Sequence, residues 1–525
     1  MTLQDYLKLR NGSDVRGVAV DGVENEPVTL TTEAVENIAK AFCVWLITRT
    51  GKIKVRIAVG HDSRISAPTL LDATVKGITS TGHDAVVTGL STTPSMFTLL
   101  REETWKENPC DGSIMITASH LPFHRNGLKF FAPQGGLEDS DIKEILEIAA
   151  TFRFAQPGEI GTVTQKPYLD DYAAYLVQLI RANTGEETPL KGKKIVVDAG
   201  NGAGGFFADK VLEPLGADTT GSQFLEPDGT FPNHIPNPEN EDAIRSVCNA
   251  VLSAKADFGI IFDTDVDRAG AVDQDGKEIN RNRLIALISA ILLSEKPGTI
   301  VTDSVTSDGL SKFISNMGGR HHRFKRGYKN VINEAIRLNK LGEYTPLAIE
   351  TSGHAALKEN YFLDDGAYLI TRILIALAKA AKEGKNLTKL VQNLEEPTEA
   401  KELRVKFKAD CDFKELGKTI IADFTAYATK TAYITPSKEN YEGIRANYDE
   451  AHGEGWALIR LSLHDPVLPI NVESNGMGGS LKIVKDLYYF LKKYDFLDLT
   501  AFEKAIADAR ADAMEKAKHN WRGAI

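Results

Sequence analysis

A serine, a histidine and a lysine occur close together in one polar stretch of this sequence. Ser119 and His120 follow the apolar run Ile114-Met115-Ile116, and Lys129 lies beyond a turn, just before Phe130-Phe131. A serine at the end of a buried strand can point its hydroxyl into a cleft, where His120 and Lys129 could handle its proton. The pattern therefore predicts a strand, a reactive loop and a second strand, with Ser119 as the candidate nucleophile.

A second apolar run, Phe258-Gly259-Ile260-Ile261-Phe262, ends in the loop Asp263-Thr264-Asp265-Val266-Asp267-Arg268. If the backbone stays extended, the alternate spacing sends the three carboxylates to one side. Three hard oxygen ligands suit Mg²⁺, which keeps positions open for phosphate oxygens, and Arg268 could hold the same phosphate. An EF-hand is excluded, because its sixth and twelfth positions need glycine and glutamate and here hold Arg268 and Gln274.

A third strand pattern, Pro346-Leu347-Ala348-Ile349, ends in Glu350-Thr351-Ser352-Gly353-His354. A carboxylate and a hydroxyl so placed can accept from and donate to vicinal sugar hydroxyls, and His354 can reach a phosphate or a ring substituent. Upstream, Lys325-Arg326-Gly327-Tyr328-Lys329 is a basic turn that fits either a substrate loop or a solvated run of charge.

One pattern of strand, helix and strand recurs three times in the sequence, and each of the three loops ends the strand that comes next in its repeat. The first strands are Val55 to Gly60, Lys194 to Asp198 and Thr299 to Asp303, and each is followed by a turn, helical periodicity and a second strand or turn announced by glycine. The repeat predicts an α/β fold with parallel strand pairs. Ligands bind beyond the carboxyl ends of such strands, so domains that face a common central cleft would pool the three loops.

A chain of 525 residues exceeds what one hydrophobic core organises, and about four domains are expected. The predicted architecture is three related α/β domains with mixed sheets, at 1–165, 166–282 and 283–398, and a C-terminal α+β domain at 399–525. Helical periodicity predicts helices over Asp139 to Thr151, Asp170 to Asn183, Arg283 to Leu293, Asp365 to Lys382, Leu481 to Lys493 and Thr500 to Lys518.

Composition limits the function classes. The formal charge of −10 opposes general affinity for nucleic acid or anionic lipid, so any phosphate chemistry has to rely on locally clustered Arg and Lys, and small anionic substrates stay open. No apolar run approaches the length of about 20 residues that spans a bilayer. The N-terminus has neither signal-peptide nor transit-peptide composition, so a cytoplasmic location is expected. The scattered cysteines, Cys43, Cys110, Cys248 and Cys411, argue against a zinc site and against a disulfide framework.

The glycine-rich run Gly200-Asn201-Gly202-Ala203-Gly204-Gly205 satisfies the dinucleotide fingerprint G-x-G-x-x-G. The acidic residue that should end the next strand is missing, because Asp218 comes too early, before Thr219-Thr220. We therefore expect these glycines to permit close packing and not to bind a dinucleotide.

Taken together, the loops resemble the signatures of the alpha-D-phosphohexomutases, the phosphoglucomutase and phosphomannomutase superfamily. Residues 117–129 resemble TASHNP-x-x-x-NGxK, residues 263–268 resemble DGDADR, and residues 350–354 resemble the sugar loop G-E-x-S-G-H. Asp14-Val15-Arg16-Gly17 resembles D-I-R-G, and His61-Asp62-Ser63-Arg64 resembles G-R-D-S-R. The run after Ile459 resembles R-x-S-G-T-E-P, with Arg460, Ser462 and Pro466 kept and Leu463, His464 and Asp465 changed.

The resemblance implies an intramolecular phosphotransferase that interconverts hexose 1-phosphate and hexose 6-phosphate, of mannose or glucose, through phospho-Ser119 and a bisphosphate intermediate. It implies Mg²⁺ on Ser119, Asp263, Asp265 and Asp267, and a hexose 1,6-bisphosphate activator. The implied catalytic residues are Ser119, His120, Lys129, Arg16 and Arg268. The implied substrate residues are Glu350, Ser352, His354, Tyr328 and Lys329, with Arg460, Ser462 and His464 clamping the nonreacting phosphate.

Three alternatives stay open. A phosphoglucosamine mutase would share the loops and differ in the sugar. A phosphatase of the haloacid dehalogenase type also begins with D-x-D after an apolar strand, although Asp267 stands where that class has threonine or valine. A catalytically silent relative would bind sugar phosphate without turnover. The sequence leaves the choice between monomer and homodimer open.

Overall fold

The computed structural model describes residues 1–101, 105–154, 158–408, 411–462 and 465–509. The chain divides into two compact units, the first of Met1–Ile300 with Ala335–Gln392 and the second of Val301–Glu334 with Asn393–Ile525. The division passes through the third predicted domain, inside one strand and one helix.

The N-terminal part of the first unit is a mixed sheet with helices packed against it. Its elements are α1 (Leu3–Lys8), β1 (Arg10–Asn11), β2 (Asp14–Val18), α2 (Thr32–Thr50), β3 (Arg56–His61), α3 (Ala67–Thr79), β4 (Asp84–Leu90), α4 (Thr93–Thr98), β5 (Gly112–Ile116), β6 (Arg125–Ala132), β7 (Gly135–Gly136), α5 (Asp139–Thr151) and β8 (Val163–Gln165). The strand order is β1-β2-β6-β5-β3-β4-β8, with β7 beside β6.

Strand β3 pairs in parallel with β4 and β5, as the repeat predicts, whereas β6 runs antiparallel to β5 and to β2. The apolar face of α2 and the inward residues of the sheet form the core, which includes Phe42, Trp45, Ile57 and Ile114. Because β2, β6 and β5 are neighbours, the ends of these strands bring the polar loops of this sheet to one place.

The second repeat forms a four-stranded sheet in the order β12-β11-β10-β9. Its elements are α6 (Leu169–Thr184), β9 (Ile195–Asp198), α7 (Glu241–Ala254), β10 (Phe258–Phe262), β11 (Ala269–Asp273) and β12 (Glu278–Ile279). The parallel β9 and β10 pair agrees with the repeat. Around Gly216 to Thr220 the structure has a turn, because Thr220 N–H donates to the Asp218 side chain and Ser222 N–H to Thr219 C=O.

The third repeat contains α8 (Arg281–Glu295), β13 (Thr299–Thr302), α9 (Asp308–Asn316), β14 (Arg320–Arg323), α10 (Tyr328–Lys340), β15 (Leu347–Ile349), β16 (Ala355–Leu357), β17 (Leu363–Asp364) and α11 (Gly366–Lys382). In the first unit β15, β16 and β17 form an antiparallel ladder. Asp365 caps the N-terminus of helix α11, and its side chain accepts from Tyr368 N–H and from the Tyr172 hydroxyl of α6. This buried cap joins the second and third repeats within the unit.

The C-terminal part of the second unit is an antiparallel sheet with helices, as predicted for an α+β domain. Its elements are β18 (Glu399–Phe407), α12 (Phe413–Lys430), β19 (Ile434–Pro436), β20 (Ile444–Tyr448), β21 (Gly455–Ile459), β22 (Val467–Ser474), α13 (Gly479–Leu491), β23 (Leu497–Asp498) and a last helical stretch, residues 500–509. The strand order is β19-β20-β21-β22-β18-β23.

The helices agree with the sequence periodicity to within two residues at each described end. Helix α5 spans the predicted residues, and α13 begins and ends two residues before the predicted helix. The final predicted helix, Thr500 to Lys518, is helical over 500–509, and its remainder lies outside the described residues. Within the described part of the chain, no helix is long and apolar enough to cross a membrane.

Candidate functional site

Ser119 lies in the buried loop between β5 and β6. Its hydroxyl donates to Asp263 Oδ2 at 2.9 Å and lies 3.2 Å from His120 Nδ1. Its backbone has a left-handed φ of 52°, a conformation that costs energy for a residue other than glycine and is common at functional sites. Burial, with the charges of Arg268 and Arg16, lowers the pKa of His120 to about 2. His120 is therefore a neutral imidazole beside the hydroxyl.

The three aspartates of the second loop are buried and close together. The carboxylates of Asp263, Asp265 and Asp267 offer oxygens that all lie within 4.8 Å of one another. The loop is a tight turn after β10 in which Val266 has φ 67°, and Arg268 N–H donates to Asp263 Oδ1 at 3.2 Å. Among the described residues, Asp265 Oδ1 and Asp267 Oδ1 have no hydrogen-bond partner. Buried carboxylate oxygens without partners fit a bound cation.

Lys129 supplies positive charge to this cluster. From β6, its ammonium donates to Asp265 Oδ2 at 2.8 Å and also to Asp267 Oδ2. Burial opposes ionisation of Asp267, but the charges of Lys129 and Arg268 outweigh it and hold its pKa well below the usual range. Burial together with Asp267 and Asp265 raises the pKa of Asp263 well above its usual value.

A chain of hydrogen bonds links the second and third loops. Arg268 Nε donates to His354 Nε2 at 2.8 Å, and His354 Nδ1 lies 2.5 Å from Asp364 Oδ2. A guanidinium only donates, so Nε2 accepts and the ring hydrogen on Nδ1 is donated to Asp364. Asp267, His354 and Asp364 have the spacing of a second metal group, but a protonated Nδ1 cannot bind a cation. The carboxylate of Asp364 therefore fixes the orientation of the His354 ring.

The remaining residues of the third loop lie beside this chain. Glu350 is buried after β15, and the Ser352 hydroxyl is 3.4 Å from Glu350 Oε2. Gly353 needs its φ of 94°, and a Cβ there would come within 2.8 Å of Ala269 C=O. In the first sheet, Arg16 lies on β2 and donates to Asp14 Oδ2 at 2.9 Å.

Four predicted substrate residues lie in the second unit. Tyr328 and Lys329 begin α10. Arg460 is buried directly after β21, with Nη1 3.6 Å from Glu442 Oε1. The Ser462 hydroxyl accepts from Asp465 N–H at 3.3 Å. His464, a fifth predicted substrate residue, lies outside the described residues.

The glycine-rich run packs closely, as expected. A Cβ on Gly202 would come within 2.7 Å of Thr264 Cα in the aspartate loop, and a Cβ on Gly205 within 2.1 Å of Leu225 C=O. The missing side chain at Gly202 therefore lets the glycine-rich run pack directly against the aspartate loop.

Comparison with known proteins identifies the family. Three consecutive sequence profiles, phosphoglucomutase/phosphomannomutase alpha/beta/alpha domains I, II and III, match residues 8–156, 167–276 and 280–397. The chain belongs to the phosphoglucomutase/phosphomannomutase family. It is a phosphohexomutase of the alpha-D-phosphohexomutase superfamily, as its loops predict.

Relatives of this mutase match most of the chain. A phosphoglucomutase of Neisseria gonorrhoeae is 30% identical over 468 residues, which cover 88% of this chain and 92% of that protein. A phosphomannomutase/phosphoglucomutase of Pseudomonas putida is 30% identical over 437 residues, 82% and 86% of the two chains. The crystal structure of a family protein from Burkholderia thailandensis superposes with a TM-score of 0.76 at 26% identity, covering 94% of this chain and 98% of that one.

Two residues of the mutase site escaped prediction from the sequence. Thr93, at the start of α4, donates from its hydroxyl to Asp265 Oδ2 at 2.5 Å and from its N–H to the Asp265 C=O at 2.9 Å. Asp364 orients His354. Thr93 is 172 positions from its partner, and no local pattern indicates such a contact. Asp364 directly precedes the predicted α11, and that position was a usable signal.

Proposed function

We propose that this phosphohexomutase interconverts the 1-phosphate and 6-phosphate of mannose or glucose, with Ser119 as the phosphoryl carrier. The observation that supports this most directly is the hydrogen bond between the Ser119 hydroxyl and Asp263, at the edge of a cluster of three buried aspartates. A hydroxyl in that position can accept a phosphoryl group beside the cation that the three carboxylates would hold.

The reaction needs two transfers of opposite direction. Phospho-Ser119 gives its phosphoryl group to the free hydroxyl of a hexose phosphate, so the serine O–P bond breaks and a sugar O–P bond forms. The bisphosphate then turns over and returns its other phosphate to Ser119. In each transfer the attacking hydroxyl loses a proton and the leaving oxygen gains one. Neutral His120, whose Nδ1 lies 3.2 Å from the Ser119 hydroxyl, would exchange the serine proton together with Lys129.

Asp263, Asp265 and Asp267, with Ser119, would hold Mg²⁺, and the unpartnered oxygens of Asp265 and Asp267 fit this assignment. When bound, the ion supplies neutralisation of phosphate charge. Lys129 balances the charge of two of these aspartates. Its predicted part in proton exchange stays a proposal.

Arginines and the third loop would bind the substrate. Arg16 and Arg268 lie near enough to His120 to lower its pKa, and both can contact the transferring phosphate. Glu350 and Ser352 would bind sugar hydroxyls, and His354 presents an oriented ring. In the second unit, Tyr328 and Lys329 would contact the substrate, and Arg460 with Ser462 and His464 would hold the nonreacting phosphate.

An assay over the 1-phosphates of mannose, glucose and glucosamine, each started with a catalytic amount of its 1,6-bisphosphate, tests the substrate. We expect turnover of the mannose or glucose compound, and a dependence on the bisphosphate for the first cycles. Preference for glucosamine 1-phosphate would replace this proposal with a phosphoglucosamine mutase.

Phosphopeptide mapping of protein trapped with labelled substrate tests the carrier. Label on Ser119 supports the proposal, and label on Asp263 would indicate phosphatase chemistry. Binding of sugar phosphate without label or turnover would indicate a silent relative.

A further inference from the structure

The side chain of Arg64 is fully buried under the Ser119 loop. It lies in the turn after β3, and its two terminal nitrogens donate to four backbone carbonyls of that loop. Nη2 donates to the carbonyls of Ser119 at 2.5 Å and Leu121 at 2.6 Å, and Nη1 to those of Pro122 at 2.8 Å and Arg125 at 2.7 Å. Nε faces Asp62 Oδ2 at 3.4 Å. The guanidinium thus directs its four terminal N–H donors at backbone carbonyls, and Nε lies at ion-pair distance from Asp62.

The loop needs such a partner because it leaves the sheet. Strand β5 ends at Ile116 and β6 begins at Arg125, so the carbonyls of Ser119 and Leu121 lie outside the strand ladder and need another donor. Ser119 also has φ 52°, which persists only where the surroundings fix it. A hydrogen bond from a charged donor to the carbonyl of the strained residue holds that peptide in place.

A second loop closes over Arg64 from the second repeat. The ring of Phe231 lies 5.3 Å from the guanidinium carbon, a distance typical of a cation–π contact. A Cβ on Gly229 would come within 2.4 Å of Ile65 N and Ser63 C=O. The chain at residues 228–231 therefore excludes water from the guanidinium, which strengthens its hydrogen bonds.

From this geometry we propose that Arg64 is a positioning residue, which sets the Ser119 hydroxyl against Asp263 by binding the carbonyls of its loop. The proposal rests on Ser119 as the phosphoryl carrier. It gives a role to a residue that touches neither substrate nor the reacting atoms. A misplacement of about 1 Å can cost roughly 100-fold in rate. Loss of the hydrogen bonds from Arg64 to the loop should therefore lower turnover and leave sugar binding unchanged.

The test compares Arg64→Lys with wild type by steady-state kinetics and hydrogen exchange. Lysine keeps the charge but cannot direct donors at four carbonyls at once. We expect kcat to fall about 100-fold and KM for the hexose phosphate to stay within about twofold. Amides in 118–127 should exchange at least about tenfold faster, with α5 unchanged.

Arg372→Lys is the matched control, because Arg372 is also buried but binds Glu295 and Glu359 on α8 and beyond β16. It should leave kcat and loop exchange at wild-type values. If Arg64→Lys does not fold, Phe231→Leu decides, since it removes only the ring over the guanidinium. Faster exchange in 118–127 then supports the proposal, and unchanged exchange overturns it.

Wild-type kcat and unchanged loop exchange in folded Arg64→Lys would also overturn it. Failure of the proposed function looks different. In that case Ser119→Ala would keep its turnover, whereas hydrogen exchange in Arg64→Lys would still report whether Arg64 holds the loop.

Discussion

The two regions proposed to bind phosphate in this mutase differ in how far their residues depend on one another. In the first unit, Ser119, Asp263 and Lys129 belong to one buried network, and the three aspartates and the arginine of the loop motif are all present. In the second unit, the loop after β21 keeps Arg460 and Ser462, but three of its motif positions have changed. Among the described residues, Arg460 Nη1 lies 3.6 Å from Glu442 Oε1.

The difference follows from the cost of changing one member of each group. Removing one charge from a buried network leaves its partners unpaired, which is strongly unfavourable. Around Asp465, which is exposed, water can replace a lost contact. We infer that the chemistry of transfer constrains the first region tightly, whereas binding of the nonreacting phosphate can be met by several side chains.

Removing the carrier should have the largest effect. We expect Ser119→Ala to lose turnover by about four orders of magnitude or more, on the scale seen when a covalent nucleophile is removed. The fold should survive, because the side chain contributes little to the core. Ser113→Ala, in the strand that leads to this loop, is the control and should stay active. Turnover close to wild type in the Ser119 variant would refute the first half of the comparison.

Loss of one carboxylate from the proposed metal site should have the second largest effect on activity. Asp265→Asn keeps the shape and removes a charge, so Mg²⁺ binding measured by calorimetry should weaken by at least about 100-fold and kcat should fall with it. Asp171→Asn, at an exposed position of α6, should change neither quantity. Unaltered Mg²⁺ affinity in the Asp265 variant would mean that the aspartates are not the metal site.

Removing the Asp364 carboxylate, which orients His354, should have a smaller effect on activity. We expect Asp364→Ala to lower kcat/KM by about 10- to 100-fold, because His354 loses the partner that fixes its tautomer. Asp364→Asn still offers an acceptor to Nδ1 and should recover most of that loss. Equal loss in both variants would show that the negative charge, and not ring orientation, is what His354 requires.

Substitutions in the loop after β21 should weaken the binding of the sugar phosphate. Charge-assisted hydrogen bonds are worth about 1.5 to 3 kcal/mol, so Arg460→Ala should raise KM for the sugar phosphate by about one to two orders of magnitude. Phosphate on Ser119, measured by mass spectrometry, should stay. His464→Ala should act in the same direction more weakly, and more so below neutral pH. Wild-type KM in both variants would show that this loop does not clamp phosphate.

The smallest effect tests a buried charge pair that stabilises without taking part in chemistry. His234 Nε2 lies 3.0 Å from both Asp198 oxygens. Burial lowers the pKa of His234, but Asp198, the Ile235 carbonyl and Asp242 outweigh it and raise it above the ordinary value. The contribution of the His234–Asp198 pair to the free energy of unfolding is therefore complete when the pH is below the ordinary histidine pKa. It is lost as the pH rises through the pKa that His234 has in the folded protein.

We expect His234→Gln to lower the urea midpoint of unfolding more at pH 6 than at pH 8, with kcat within about twofold of wild type. The same midpoint shift at both pH values would contradict the charged pair.

The sequence alone determined the order of the elements and the loops that carry chemistry. Apolar runs that end in Ser119, Asp263 and Glu350 marked the ends of strands, because a buried strand followed by polar residues is a local pattern. The periodicity of α5 and α11 placed those helices almost to the residue. The alternate spacing of the aspartates was enough to suggest a cation site.

Tertiary structure decided which side chains meet. Thr93 joins Asp265 from the start of helix α4, and Arg64 reaches its carbonyls across 55 to 61 positions of sequence. The left-handed backbone of Ser119 and Val266 also has no sequence signal, because neither is glycine. The tautomer of His354 depends on two partners, Arg268 and Asp364, that are 86 and 10 positions away. Such contacts are long-range and polar, and hydrophobic periodicity carries no information about them.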